Sequence, residues 1–318
     1  MIDLPSPRQL RYLVAIADTG GFGRAAARCA VTQSTLSAGI KELEATLGAT
    51  LIERRRGGPA FTPAGERVLE RARRLLADSE ELVELARDEA EPLAGALRVG
   101  VIPTVAPYLL PRLLPRLRRR FPKLRPFLVE ERTATLVAQL DAAAIDVALI
   151  ALPYDLPRLA AFDCFEDRFV FAAPRGHPLL ARAAVGLAAL RAETVLLLTE
   201  GHCLRDHALS VCRLDARETA RAVEATSLST LIQMVDSGLG VTLLPAMAVA
   251  AGALRGMRVE TRPLEDREAS RRIGLAWRAT SPRAPHFRLL GEAVRDVAGV
   301  QQDTVARAAE KSHRRTAR

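Results

Sequence analysis

Cys203 and Cys212 lie in a short segment that also carries His202, Arg205, Asp206 and His207, side chains suited to thiol chemistry. The segment follows an apolar run, Thr194 to Thr199, that reads as a buried strand, and its Leu204, Ala208 and Val211 share one helical face. Cys203 is therefore expected near the start of a helix and Cys212 near its end. Nine helical steps of about 1.5 Å set the two α carbons roughly 13 Å apart, whereas a disulfide needs them within about 7 Å. Helix and disulfide exclude one another. Oxidation of such a pair would select one backbone arrangement and reduction the other.

Spacing alone leaves three readings open. Cysteines in an apolar helix are often small buried hydrophobes with no chemistry. Cys203 and His207 stand i, i+4 on one face with His202 and Cys212 nearby, ligand types that suit zinc at a spacing that matches no familiar finger. Redox chemistry is favoured by the local charge, because Arg205 and the positive end of the helix both stabilise a thiolate.

The chain that must position these residues has 318 of them, 49% hydrophobic and 26% charged, enough for two or three domains with separate cores. Its first residues, Met1-Ile2-Asp3-Leu4-Pro5, have neither the basic nor the apolar region of an export signal. The longest apolar stretch, Val241 to Leu254, is broken by Pro245 and falls short of the roughly 18 to 20 residues of a membrane helix. A cytoplasmic protein without membrane contact is expected. Four cysteines in a reducing compartment argue against structural disulfides and leave transient ones open. Cys29 and Cys164 read as packing residues.

Net charge is +9, which favours a polyanionic partner, but its distribution is uneven. Residues 1–74 carry twelve basic and seven acidic side chains, a balance of +5, and residues 75–91 one basic and seven acidic, a balance of −6. Basic side chains recur between Arg112 and Arg125, where they read as a solvated face.

Helical spacing predicts a first helix over residues 7–17, ended by Gly20-Gly21, and a second from Arg24 to Ala30 with Ala25, Ala26 and Cys29 inward. Val31-Thr32-Gln33 then connects to a third helix, Ser34 to Leu47, with Leu36, Ile40, Leu43 and Leu47 inward and Ser34 available as its N-cap. Two short helices on a third make a helix-turn-helix candidate. In that geometry Thr32, Gln33, Ser34, Thr35 and Ser37 reach base edges and phosphates in the major groove of double-stranded DNA, with Lys41 a turn beyond. Residues 51–62 form two extended pieces around a basic Gly-Pro turn, a wing whose Arg54, Arg55 and Arg56 touch phosphates.

From Pro63 a long helix runs to about Glu91, and Val68, Ala72, Leu75, Ser79, Leu82 and Ala86 alternate steps of four and three, the pattern of a two-helix seam. A dimerising linker follows from it. After Pro92-Leu93-Ala94-Gly95, strands and helices alternate: strands at Leu97 to Ile102, Phe127 to Glu130 and Val147 to Ala151, helices at Pro107 to Phe121 and Thr133 to Ala143. Strands at Phe169 to Ala173 and Val241 to Leu244, a helix at Ser227 to Ser237 and a returning strand at Ile273 to Trp277 complete an α/β half, and the alternation implies a parallel sheet.

Phe22, Ala25-Ala26, Thr32 to Ser37, Ile40, Leu43-Glu44, Leu47-Gly48, Leu51, Arg54 and Phe61 to Gly65, in this order of domains, resemble the LysR family of bacterial transcription regulators. Ser34 is a small departure, since many relatives have proline there. Gly201 to Asp206 with Cys212, Val101 to Pro111 and Ala225 to Leu228 are similar to the OxyR-type peroxide sensors within that family.

The resemblance implies a fold of winged helix-turn-helix (1–66), linker helix and hinge (67–94) and a two-lobed α/β regulatory domain like periplasmic binding proteins (95–298), with a polar tail at 299–318. Lobe I would take about 95–167 and 269–298, and lobe II about 168–268. The resemblance further implies that Cys203 reacts with hydrogen peroxide and Cys212 resolves the product, while Thr104 and Thr133 hold the peroxide and a water. His202 and Arg205 would flank the sulfur, Arg271 would steady the reduced segment, and Asp206 would pair with one of these bases. No cofactor and no metal are implied. Partners would be DNA, a second copy of the chain in a dimer of dimers, RNA polymerase and a thiol reductant. Two readings compete with this one: a metabolite-responsive regulator with inert cysteines, and a thiol peroxidase with a DNA anchor.

Overall fold

The computed structural model describes residues 4–55, 58–85, 92–212, 224–266 and 268–299. The chain divides into two compact units, one from residues 1–91 with 141–144 and the other from residues 92–140 and 145 onward.

The first unit begins with α1 (Pro7–Thr19). Its start is fixed by a capping box, in which the Ser6 hydroxyl accepts from Gln9 N and the Gln9 amide oxygen accepts from Ser6 N, and its end by Gly20 in the left-handed region. α2 (Phe22–Arg28) starts two residues earlier than its spacing suggests. α3 (Gln33–Leu47) also starts early: Thr32, not Ser34, is the N-cap, with its hydroxyl accepting from Thr35 N at 3.2 Å. Leu36, Ile40 and Leu43 are buried as the spacing requires, whereas Leu47 is 38% exposed because the helix ends beside it at Gly48. Gly39 lets α3 approach α1, since a Cβ there would meet the Tyr12 ring at 2.8 Å. A two-stranded wing follows, β1 (Ile52–Arg55) and β2 (Gly58–Phe61), antiparallel.

α4 (Pro63–Leu85) closes the unit, and at 23 residues it is about 35 Å long. Its first half belongs to the helix-turn-helix core: Leu69 and Ala72 are buried there and Val68 and Leu76 pack against it. Val68 and Ala72 are thus not free for a two-helix seam, while Leu75, 53% exposed, is. Ala86 and the rest of the expected linker to Glu91 lie outside the described residues, as do Arg56 and the tail from 300.

The second unit opens with β3 (Gly95–Val101), α5 (Ala106–Arg120), β4 (Leu124–Glu130), α6 (Thr133–Asp141) and β5 (Val147–Leu152), close to the spans expected. β3 lies between β4 and β5 and is parallel to both. β5, Val-Ala-Leu-Ile-Ala-Leu, is buried at every position, as a strand covered on both faces must be.

The sheet as a whole is mixed rather than parallel. β6 (Leu159–Pro174) is 16 residues long and runs antiparallel to β11 (Ser270–Arg278), then to β10 (Val259–Pro263) and β9 (Thr242–Pro245). The strand order is β10-β6-β11-β5-β3-β4, with β9 also on β6. Alternation of strand and helix governs only the first three strands; of the two long crossing strands, β11 runs against both of its neighbours, β5 and β6.

Two cores result, one around β3, β5, α5, Trp277 and the helix at 284–299, the other around Phe171, Leu196, α8 (Leu228–Asp236) and β9. Only Leu197–Leu198 (β7) of the apolar run before the cysteines is strand, paired in parallel with β8 (Glu224–Ala225).

Candidate functional site

α7 spans Cys203–Cys212, with Cys203 at its start and Cys212 at its end, where the spacing placed them approximately. Gly201, at φ 84°, turns the chain into it, and Arg205 N bonds to His202 O at 2.9 Å in its first turn. Nine rises again place the two α carbons about 13 Å apart, beyond the reach of a disulfide. Cys203 is a free thiol, half-buried; the Cys212 side chain lies outside the described ones. The helix stands on the seam between the two cores. Leu204 and Ala208 are buried in the second core, and Cys203 packs against the first.

Arg271 of β11 is buried completely and organises the seam. Its Nε and Nη2 donate to Asp167 Oδ2 at 3.1 and 3.0 Å, its Nη1 to the Thr104 hydroxyl at 2.7 Å, and Nη2 also to the Thr104 carbonyl at 3.1 Å. Asp167 Oδ1 accepts from Met247 N at 3.0 Å, at the start of α9 (Ala246–Ala250). Burial pushes the Asp167 carboxyl above the usual carboxylate range, against the pull of Arg271 and the Met247 amide. Three N–H donors converge on its two oxygens. Because the Thr104 oxygen accepts from Arg271, its own O–H is left to donate to a further group.

Asp167 and Met247 carry no motif that could have announced them. Arg271 faces Asp167 as its register partner on neighbouring strands, a relation that joins residues far apart in sequence.

Thr133 opens α6 and is buried, with its hydroxyl lacking a partner among the described atoms. His202 is buried too, and its Nε2 likewise has none. Desolvation, then the nearby Arg132, push the imidazole below its usual pKa, while a hydrogen bond to the Thr226 backbone opposes them. A neutral ring that donates to Thr226 keeps a lone pair on Nε2, so His202 offers an acceptor where Thr104 and Thr133 offer donors.

Arg205 is turned to the Leu198 carbonyl, 3.1 Å away, and to the Glu224 carboxylate, which neutralises it. Asp206 is exposed and is the carboxylate of neither Arg205 nor Arg271, whose partners are Glu224 and Asp167. His207 bonds through Nδ1 to the Cys203 carbonyl at 2.6 Å, an internal helix contact. Among the described residues no group of three or more His, Cys, Asp or Glu could hold a metal, and no helix is long and apolar enough to cross a membrane.

On the first unit, Thr32, Gln33, Ser34, Thr35 and Lys41 are exposed at and beyond the start of α3, and Ser37 is half-buried. The Thr32 hydroxyl also contacts those of Ser34 and Thr35 at 2.9 and 2.8 Å. Arg54 and Arg55 stand on the wing strand, their side chains outside the described ones.

Residues 7–66 match the bacterial regulatory helix-turn-helix protein, lysR family, and residues 90–299 the LysR substrate binding domain. The chain is 42% identical over 255 residues to the HTH-type transcriptional regulator EstR of Acinetobacter baylyi, covering 80% of this chain and 84% of that one. It is 40% identical over 288 residues to the DNA-binding transcriptional dual regulator OxyR of Escherichia coli K12, covering 91% and 94%. A full-length OxyR variant from Pseudomonas aeruginosa superposes with a TM-score of 0.78 at 35% identity, covering 92% of this chain and 98% of that one. Helix-turn-helix, wing, long helix and a regulatory half built on two crossing strands therefore have one source: the chain belongs to the LysR family of bacterial transcription regulators and within it is OxyR-like.

Proposed function

We propose that the protein senses hydrogen peroxide through Cys203 and Cys212 and transmits the change to DNA held by its helix-turn-helix. The observation that carries this reading is a pair of buried polar atoms without partners among the described atoms, Thr133 Oγ1 at the start of α6 and His202 Nε2 in the turn next to the free Cys203. Peroxide both donates and accepts, and satisfies such atoms. Thr104, held by Arg271, supplies a further donor.

In the first step the Cys203 thiolate attacks one peroxide oxygen. The S–O bond forms, the O–O bond breaks, and the departing hydroxide takes a proton to leave as water. In the second, Cys212 sulfur attacks the sulfenic acid. The S–S bond forms, the S–O bond breaks, and the hydroxyl leaves with the Cys212 proton as a second water. α7 must unravel for this. Closing a loop of about ten residues costs roughly 2.5 to 3 kcal/mol of chain entropy, and exposing one buried leucine, here Leu204, costs roughly 1.5 to 3 kcal/mol more. The oxidised arrangement is therefore held by the S–S bond itself, and a thiol reductant that breaks the bond lets α7 re-form.

Residues 1–66 serve as the DNA-binding domain, with Thr32, Gln33, Ser34, Thr35, Ser37 and Lys41 toward the major groove and Arg54, Arg55 and Arg56 toward phosphates. Residues 67–94 link and dimerise, and 95–298 sense, with lobe I about 95–167 and 269–298 and lobe II about 168–268. Exposed Leu75, and Phe127 and Leu128 on the edge strand β4, offer apolar faces for self-association in a dimer of dimers. The protein works in the cytoplasm, without enzymatic turnover, and addresses RNA polymerase at its promoters.

A stoichiometric dose of peroxide should remove two free thiols from the reduced protein, and a footprint on DNA should differ between the reduced and oxidised forms. Cys203→Ser should abolish the response and retain DNA binding. The name of the EstR relative mentions no peroxide; an unchanged thiol count would favour a regulator of the metabolite-responsive kind.

A further inference from the structure

Arg132 is an exposed arginine that nothing in the sequence singles out, yet it crosses the seam. Its own backbone is fixed, because its carbonyl accepts from Leu136 N at 3.0 Å as the first bond of α6. From there its Nη1 donates to the Glu200 carbonyl at 3.0 Å, in the turn that leads into Cys203. The guanidinium lies against Gly201: a Cβ there would stand 3.2 Å from Nη1 and 3.3 Å from Cδ. Gly201 is also at φ 84°, so the site of contact excludes other side chains on two grounds. Among the described residues no carboxylate neutralises Arg132, whereas Arg205, the other cation near this turn, is paired with Glu224.

We propose that Arg132 is a positioning residue of the sensor: it ties the turn ahead of Cys203 to the opposite lobe, and so sets where the sulfur stands in the reduced protein. The inference rests on the peroxide reading. Small displacements of a reacting atom are costly, since about 1 Å can lower a rate by roughly a hundredfold. A tether at Glu200, three residues before the sulfur, therefore acts on the first chemical step. It opposes the second, because α7 cannot unravel freely while Glu200, two residues before His202, is held. The charge has a separate consequence, in that Arg132 helps keep the neighbouring imidazole of His202 neutral.

The test uses full-length reduced protein, hydrogen peroxide, and the variants Arg132→Ala and Arg132→Lys, with the loss of the Cys203 thiol and the appearance of the disulfide timed separately from pH 5 to 8. Arg132→Ala should slow the first step about tenfold and speed the second several-fold, and its acid limb should move to higher pH as His202 becomes easier to protonate. The charges around that imidazole on neighbouring elements, Arg205 with Glu224 and Glu200 on the turn itself, are unchanged in the variant. Arg132→Lys should keep the limb of the parent protein and recover part of the rate. Parent rates for both steps in Arg132→Ala would overturn the proposal, and so would equal slowing in both variants with no movement of the limb. If the parent protein itself loses no thiols to peroxide, the peroxide reading fails instead. The tether is then decided by alkylation of Cys203 with iodoacetamide, which should be several-fold faster in Arg132→Ala; an unchanged rate would reject it.

Discussion

α3 and α7 are both helices that begin where the chain turns sharply, and they are held in opposite ways. α3 is determined several times over: Thr32 caps it, Gly48 ends it, and Leu36, Gly39, Ile40 and Leu43 are buried against α1 and α2. α7 has ten residues, and its described buried anchors are Leu204 and Ala208. Its entrance carries buried polar atoms without partners, at Thr199 and His202. A ten-residue helix has little intrinsic stability. The helix proposed to read DNA is a rigid part, while the helix that carries sulfur has two buried anchors among its described side chains.

The largest expected effect tests the rigid side. Leu36→Ala should cost about 3 kcal/mol in urea unfolding of the first unit, the mid-range for a fully buried leucine. A loss no greater than that of Leu204→Ala would erase the contrast. Leu204→Ala should weaken α7 by about 2 kcal/mol and leave the first unit unchanged. Since it destabilises the helical, reduced arrangement, the Cys203–Cys212 couple should become harder to reduce by about 40 mV, measured against a glutathione series. A smaller effect, about 1 kcal/mol, is expected for Thr32→Ala, in which α3 loses its cap but keeps its buried face.

The smallest effect is an absence of reaction. Burial raises the Cys164 thiol to about 12, so native protein treated with iodoacetamide should label Cys203 and leave Cys164 untouched. Raising the pH from 7 to 9 should leave Cys164 unlabelled, because its thiol stays protonated throughout that range. Rapid labelling of Cys164 would mean that the first core opens as readily as α7.

The bounds of α7 were legible because Gly201 punctuates the chain before it and the apolar spacing continues to Cys212. The three first strands of the regulatory half were legible for a similar reason, each being a short apolar run between turns. Thr32 and Ser34 are both good caps, and only the backbone decides for Thr32. Leu47 has the right spacing and the wrong place, at a helix end where little remains to cover it. The mixed sheet could not be read from alternation, because direction is set by pairing. Asp167 and Arg132 were hidden for one physical reason: each acts through a partner brought near by folding, Arg271 in one case and the Glu200 carbonyl in the other.

β6 pairs with β11 over residues 159–168 and with β10 and β9 over 169–174, so a single strand is an inner member of both lobes. The regulatory half is for that reason indivisible. No cut would yield two folding pieces, because whichever fragment lost its share of the strand would lose the middle of its sheet. Deletion mapping or domain exchange between relatives should therefore succeed at the boundary between the two compact units and fail between the lobes, even though each lobe has a core of its own.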